Sequence, residues 1–378
     1  MTNVVIAGYA RSPFTLAKKG GLARVRPDDL AAEVVRALIT RTGVKADDIE
    51  DLIVGCAFPE GEQGFNVARL IGLLADLPLG VGGLTVNRFC GSSMQSVHIA
   101  AGQIQLGAGE VFICAGVESM SRVPMMGFNP LPNPALHERN AGAYMGMGDT
   151  AENVARRWQI TRAEQEMFAV RSQRRAADAQ AAGRLAGEIV PIKVKGSSVD
   201  ADGCIRADTT GETLAGLKPA FQQDGTVTAG TSSPLTDGAA AVLVCSESYA
   251  ERNGLKPLAR IAAVGVSGCD PQIMGIGPVA ATRKALDRAG IGIEAVDVVE
   301  LNEAFASQAL ACARELGIRD ETLNIDGGAI ALGHPLGATG ARIVGKAASL
   351  LEREGGRYAL ATQCIGGGQG IATLLERV

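Results

Sequence analysis

Three segments from the first third of the chain return, in the same order, near its end. "IEDLIVGCAFPE" (49–60) parallels "AVDVVELNEAFA" (295–306), "LTVNRFCGSS" (84–93) parallels "LNIDGGAIALG" (323–333), and "GAGEVFICAGVES" (107–119) parallels "GGRYALATQCIGG" (355–367). Three pairs in order point to an internal duplication. Strand-like apolar runs alternate with helix-like ones, as in "NVVIAGYA" followed by "DDLAAEVVRALITRT". That alternation predicts an α/β architecture. Leu30, Val34 and Leu38 fall on one helix face, with Asp28 or Asp29 placed as its cap. A duplicated α/β unit brings strand ends from both halves together, and ligands of open α/β sheets bind at such places.

The rhythm breaks between roughly residues 120 and 230. A loop rich in Pro, Gly, Asn and Met leads into an amphipathic helix, broken near Gln159–Thr161, and then into a polar, charged stretch. This middle reads as an inserted lid or ligand-binding domain. It divides the chain into 1–119, 120–230 and 251–378, with closing elements of the first half near 231–250.

A net charge of −4 argues against general nucleic-acid binding, but leaves room for a local basic patch that meets an anionic ligand. The start shows no signal-peptide pattern, and no apolar run approaches the ~18 residues of a membrane span. The eight cysteines are dispersed and form no CxxC pair, so neither a zinc site nor a disulfide framework is expected. A cytoplasmic location follows as the expectation.

Four stretches could carry chemistry. Cys90 ends a strand-like run just before a helix start opened by Ser92 or Ser93; such a position lowers a thiol pKa, although a buried structural cysteine has the same pattern. Asn302 and Glu303 end "VDVVEL", where they either orient water or a base, or cap a helix. His334 lies in "GGAIALGHPLGATGAR", a Gly/Pro loop suited to acid–base work. "CIGGGQG" (364–370) imitates a dinucleotide fingerprint, but too little chain follows for the required strand–helix–strand unit. Its alternative use is a reactive Cys364 with glycine amides presented to an oxygen anion. Together these residues make a set for a thiol nucleophile, a general base and oxyanion stabilisation.

With "RSPF", "NRFCGSSMQSV", "GVESMS", "MGDTAENVA", "VTAGTSSPLTDGAAA", "MGIGP", "NEAFASQ", "GGAIALGHPLGATGAR" and "CIGGGQG" in order, essentially the whole chain resembles the thiolases, acetyl-CoA C-acyltransferases. The resemblance implies a five-layered αβαβα fold. It implies Cys90 as acyl-carrying nucleophile, His334 as its base, and Cys364 as the acid/base at the α-carbon of acetyl-CoA. Asn302 would hold a catalytic water that forms one oxyanion hole with His334, and the amides of Cys90 and Gly366 would form the other. Coenzyme A would be a substrate, with no tightly bound cofactor and no metal. Its path would be lined by Ser233, the best anchored of the set, and by Arg206, Ala229, Met147, Phe221, Ala304 and Phe305. Family members are usually homodimers or homotetramers, and some join a fatty-acid oxidation complex. Met120–Met147 looks shorter than in acetoacetyl-CoA-forming members. Gly146 stands where those often have His, and Gln369 where many members have Met. The expectation is degradative 3-ketoacyl-CoA thiolysis. Condensation of two acetyl-CoA is the runner-up, and an inactive acyl-CoA-binding relative the remote alternative.

Overall fold

The computed structural model describes residues 2–378. Strand β1 (Val4–Arg11) and the short β2 (Thr15–Leu16) lead to helix α1 (Pro27–Thr42). β3 (Asp51–Gly55), α2 (Val67–Leu74), β4 (Gly82–Val86), α3 (Ser92–Leu106) and β5 (Val111–Ser119) follow. The middle holds α4 (Pro134–Arg139), α5 (Met147–Arg157), α6 (Arg162–Ala181), the hairpin strands β6 (Ile192–Val194) and β7 (Ser197–Val199), and α7 (Gly211–Ala215). Next come β8 (Thr236–Ser246), α8 (Glu247–Asn253), β9 (Ala259–Gly268), α9 (Gly277–Ala289), β10 (Val298–Leu301) and α10 (Ala306–Leu316). The chain finishes with α11 (Ala329–Leu332), α12 (Leu336–Glu354), β11 (Tyr358–Ile365) and β12 (Gln369–Glu376).

Local sequence sets the boundaries. Pro27 takes the first position of α1, where its missing N–H has no partner to lose, and Gly43 ends the helix at φ 70°. The residue before the first turn is therefore Arg26, and no side chain caps it. Asp28 and Asp29 lie inside the first turn instead of capping it, where they meet the positive end of the helix dipole. The break expected near Gln159–Thr161 falls between α5 and α6. There the Thr161 side chain accepts from the Glu164 amide, and Glu164 returns a bond to Thr161.

The duplication is written into the sheet. The first half runs β4-β3-β5-β8-β1, and the second runs β10-β11-β12-β9, with Leu323 bridged in parallel to Val299 where β4 would stand. In each half the strand before the pseudo-equivalent of β1 is antiparallel to its neighbours: β8 in one, β12 in the other. The halves meet edge to edge where Val5 and Ile6 pair with Arg260 and Ala259.

Helices α3 and α12 lie between the half-sheets, and each contacts strands of both. One core of buried residues joins them, including Ile6 and Phe112 from the first sheet, Met94 and Val97 from α3, Ile343 and Val344 from α12, and Ile371 from the second sheet. Separate cores lie under α1 and α2 on one outer face and under α9 and α10 on the other. The result is the five-layered αβαβα arrangement. The middle helices α5 and α6 pack on α10, and α6 also on α11. Among the described residues no helix is long and apolar enough to cross a membrane.

Candidate active site

The two central helices cross at their starts. A Cβ on Gly340 would lie 2.2 Å from the Met94 amide, so only glycine allows this approach of α12 to α3. Ser93 Oγ accepts from the Ala341 amide at 2.8 Å. The residues just ahead of each helix, Cys90 and His334, are thereby carried to one place, and Cys90 shares a small apolar cluster with Leu336.

Cys90 sits on a braced turn. Asn87 Oδ1 accepts from the Phe89 amide at 2.9 Å, and Ser92 Oγ accepts from the Arg88 amide at 2.9 Å. Phe89 itself is left-handed, at φ 42°. Such strain in a bulky residue persists only where its surroundings enforce it, and it re-aims the residue that follows.

Beneath lies β11. Gln363 Nε2 donates to the Cys90 carbonyl, and the amides of Gly366 and of Cys90 itself are aimed at the Cys90 sulfur. "CIGGGQG" is the hairpin turn between antiparallel β11 and β12, with Gly367 and Gly368 at φ 79° and 82°. It is not a strand-to-helix turn of the dinucleotide-binding kind. Cys364, 1% exposed, lies near enough to Cys90 for charge on one thiol to disfavour charge on the other.

His334 is buried and neutral. Its Nδ1 lies 2.6 Å from Thr339 Oγ1, whose own proton goes to the Pro335 carbonyl at 2.9 Å. Thr339 can therefore only accept, which places the ring proton on Nδ1 and leaves the lone pair on Nε2. Asn302 Nδ2 faces that Nε2 at 3.4 Å, while Asn302 Oδ1 is buried without a protein partner.

Burial governs the electrostatics. It pushes the Cys90 thiol up to about 11 against the pull of the two amides, and lifts Cys364 well above the usual thiol range. It holds His334 down at about 3, with Arg342 adding repulsion. The sequence predicts a lowered Cys90 pKa from the helix start, and burial outweighs that effect. The resting pair is thiol and imidazole, not thiolate and imidazolium. Asn302 caps nothing, because α10 begins four residues later. Glu303 turns away from the centre, to the Ser172 hydroxyl at 2.6 Å, Asn324 Nδ2 at 2.7 Å and the Ile330 amide at 3.2 Å.

Comparison with known proteins identifies the family. Residues 4–248 match "Thiolase, N-terminal domain", and residues 255–377 match "Thiolase, C-terminal domain". The chain belongs to the thiolase family. It is 47% identical to a 3-ketoacyl-CoA thiolase of Bacillus subtilis (strain 168) and 49% identical to one of Shewanella frigidimarina (strain NCIMB 400). In both cases all of each chain is covered.

The thiolase resemblance names seven further residues, and the structure sorts them. Met147, Ala304 and Phe305 share a cluster with Cys364, and Met147 also stands beside Gly366. Phe221, 45% exposed, meets Phe305 edge-on at 5.8 Å and takes the space a side chain at Gly148 would need. Arg206 and Ala229 line a separate small cavity of about 90 Å³ together with Ser232. Ser233 joins the two groups through its amide, which donates to the Ala304 carbonyl at 3.0 Å.

Two supporting contacts escape the sequence reading. Buried Glu118, at the end of β5, accepts from the amides of Ala57 and Gly337 at 2.8 and 2.9 Å and from Gln63 Nε2 at 2.7 Å. It ties the loop after β3 to the first turn of α12. The signal for it is a lone carboxylate closing an apolar strand in "VFICAGVES". Gln369 accepts from Arg88 at 2.8 Å and so helps to hold the turn that carries Cys90.

Proposed function

We propose that this thiolase cleaves 3-ketoacyl-CoA with coenzyme A, giving acetyl-CoA and a shortened acyl-CoA. The observation that carries the reading is the meeting of two buried thiols, Cys90 and Cys364, beside a neutral imidazole whose Nδ1 proton is already committed to Thr339.

His334 Nε2 takes the Cys90 proton as the sulfur attacks the 3-keto carbon. The amides of Cys90 and Gly366 receive the resulting alkoxide. Collapse breaks the bond between C2 and C3 and leaves an acyl thioester on Cys90. The departing electron pair forms the acetyl-CoA enolate, whose oxygen meets protonated His334 and a water on Asn302, and Cys364 protonates its carbon. The unpartnered Asn302 Oδ1 supports a water there. Cys364, now a thiolate, deprotonates the incoming CoA thiol, which takes the acyl group, and the departing Cys90 sulfur recovers its proton from His334. Each oxyanion donor is worth roughly 3–4 kcal/mol in such chemistry. A thiol held near 11 makes the base necessary, because little thiolate exists beforehand.

The further assignments belong to the same reading. Residues 120–230 carry the CoA path between thiolase halves 1–119 and 251–378, and CoA is a substrate, not a resident cofactor. The degradative direction is favoured by relatives named 3-ketoacyl-CoA thiolase, and a place in β-oxidation in the cytoplasm is part of the same proposal. A homodimer, as a unit or as half of a homotetramer, fits the unpaired outer edge of β4 and the exposed Leu70, Leu73, Leu79, Leu84 and Phe65 around it.

The test is CoA-dependent cleavage of 3-ketoacyl-CoAs of graded chain length, run beside acetyl-CoA condensation, with mass spectrometry of the enzyme. Cleavage with an acyl adduct on Cys90 is expected. No cleavage at any chain length would sink the proposal.

A further inference from the structure

A second cavity, of about 510 Å³, opens at the other end of α12. Its walls come from β1, the end of α1, the 184–188 segment, the 254–258 link and the last turns of α12. On α12 the wall begins at Lys346, ~15 Å along the helix from its start beside His334. None of the residues given a role above lines it.

The wall carries Arg41, Arg184, Lys256, Lys346 and Arg353 against one carboxylate, Glu188. Asp326, behind the wall, is shared by Arg184 at 2.9 Å, Lys346 at 2.7 Å and Arg353 at 2.6 Å. Glu188 is held by Lys346 at 3.1 Å and by Arg11 at 2.8 Å. Lys256 pairs with Glu352, and Arg353 also with Glu354. Arg41 has no carboxylate. Its guanidinium donates to the carbonyls of Gly187, Glu188 and Ile189. Arg184 uses only its Nε.

An independent observation points to an occupant. Tyr9 lines the cavity, is 8% exposed, and its hydroxyl has no hydrogen-bond partner. The ring is pinned against α12 at Gly345, where a Cβ would lie 2.2 Å from it. Burial and nearby Glu188 keep the phenol well above its ordinary pKa, so it stays a donor. A buried donor left unpaired costs about 1–3 kcal/mol, which an arriving acceptor would recover.

We propose that this cavity binds a phosphate-bearing small molecule, with the Tyr9 hydroxyl and the Arg41 and Arg184 guanidiniums as donors to the phosphate. Several cations in one cavity wall match a dianion better than a single carboxylate. The volume falls within the ~300–1,000 Å³ of cavities that hold whole small molecules. The site does not depend on the catalytic reading.

The test is isothermal titration calorimetry of the full chain with inorganic phosphate, pyrophosphate and AMP. At least one probe should bind, with an affinity that falls as salt is added. Tyr9→Phe keeps the ring and should weaken binding about tenfold or more. Without ligand it should be at least as stable as the parent, since it deletes a buried hydroxyl with no partner. Arg184→Met should also weaken binding, whereas Phe221→Ser, in the proposed CoA path, should not. AMP binding more tightly than phosphate would extend the site to a nucleoside, and equal affinities would limit it to the phosphate group. No heat from any probe, or binding that ignores both Tyr9→Phe and Arg184→Met, overturns the proposal. So does binding lost in Phe221→Ser and kept in Tyr9→Phe, because that puts the anion in the substrate path.

Discussion

Helices α3 and α12 are counterparts in the two halves, and they do different work. Each follows the loop after its half's third strand position, and each starts at the reactive centre. Ahead of α3 stands Cys90, the proposed nucleophile, after left-handed Phe89; ahead of α12 stands His334, the proposed base, after Gly333, whose φ of 101° costs a glycine little. The interior of α3 is mainly apolar, with Met94, Val97 and Ala100, beside three buried serines and His98, whose Nε2 lies 2.8 Å from Thr373 Oγ1. That of α12 buries Thr339, Arg342 and Lys346, paired with His334, Glu300 and Glu188 respectively. A duplicated frame fixes where two side chains meet. The polar groups along each helix decide what each can do there.

The comparison can be broken most severely at the reactive atoms. Cys90→Ala should lower thiolysis by at least ~10³-fold and abolish the acyl adduct seen by mass spectrometry. Retained turnover would mean that the first half does not supply the nucleophile. Cys364→Ala should cost ~10²–10⁴-fold while still allowing Cys90 to be acylated, as expected for loss of an acid–base group alone.

Thr339 tests whether α12 positions its histidine from within. Thr339→Val should lower kcat by roughly tenfold to a hundredfold with little change in KM, and Thr339→Ser should restore it. A KM effect of equal size would point to misfolding of the loop instead.

Acid should reveal the burial of His334, alongside that of His98 on α3, which burial also holds down at about 3. Between the usual histidine value of 6.5 and the folded value of about 3, the unfolded chain takes up a proton that His334 cannot. Stability therefore falls as pH drops below 6.5, by roughly 1.4 kcal/mol per pH unit from this group. Urea unfolding of the parent and of His334→Gln should show a shallower acid slope in the variant. Equal slopes would show that the histidine is not held neutral.

The smallest effect is expected at Gln369. Its change to Met removes the acceptor for Arg88 and should cost about 1 kcal/mol of stability. Unchanged unfolding would show that the nucleophile turn does not need this brace.

Much of this was legible in the sequence. The repeated segments foretold the repeated strand order, and the strand-end positions of Cys90, Asn302 and Cys364 foretold a shared centre. What escaped depends on three-dimensional surroundings. The thiol pKa rises because Cys90 is enclosed by both halves, which no local window reveals. Asp28 and Asp29 looked like caps because the pattern takes no account of Pro27 starting the helix first. In the sequence Asn302 and Glu303 read alike, as orienting water or a base or as a helix start, yet adjacent residues of an extended segment point to opposite sides, and only Asn302 faces His334. Phe89's left-handed backbone carries no sequence signal, since a phenylalanine is a poor choice for it.

The core around α3 and α12 has a consequence for how the molecule could come apart. Its residues come from both sides of the 254–258 link, and neither side encloses it alone. Cutting that link would leave two pieces, each exposing half of one interior. The protein is in effect a heterodimer whose subunits share a single tether. Coexpressed fragments broken there should find each other and rebuild the active site, while either one made alone should aggregate.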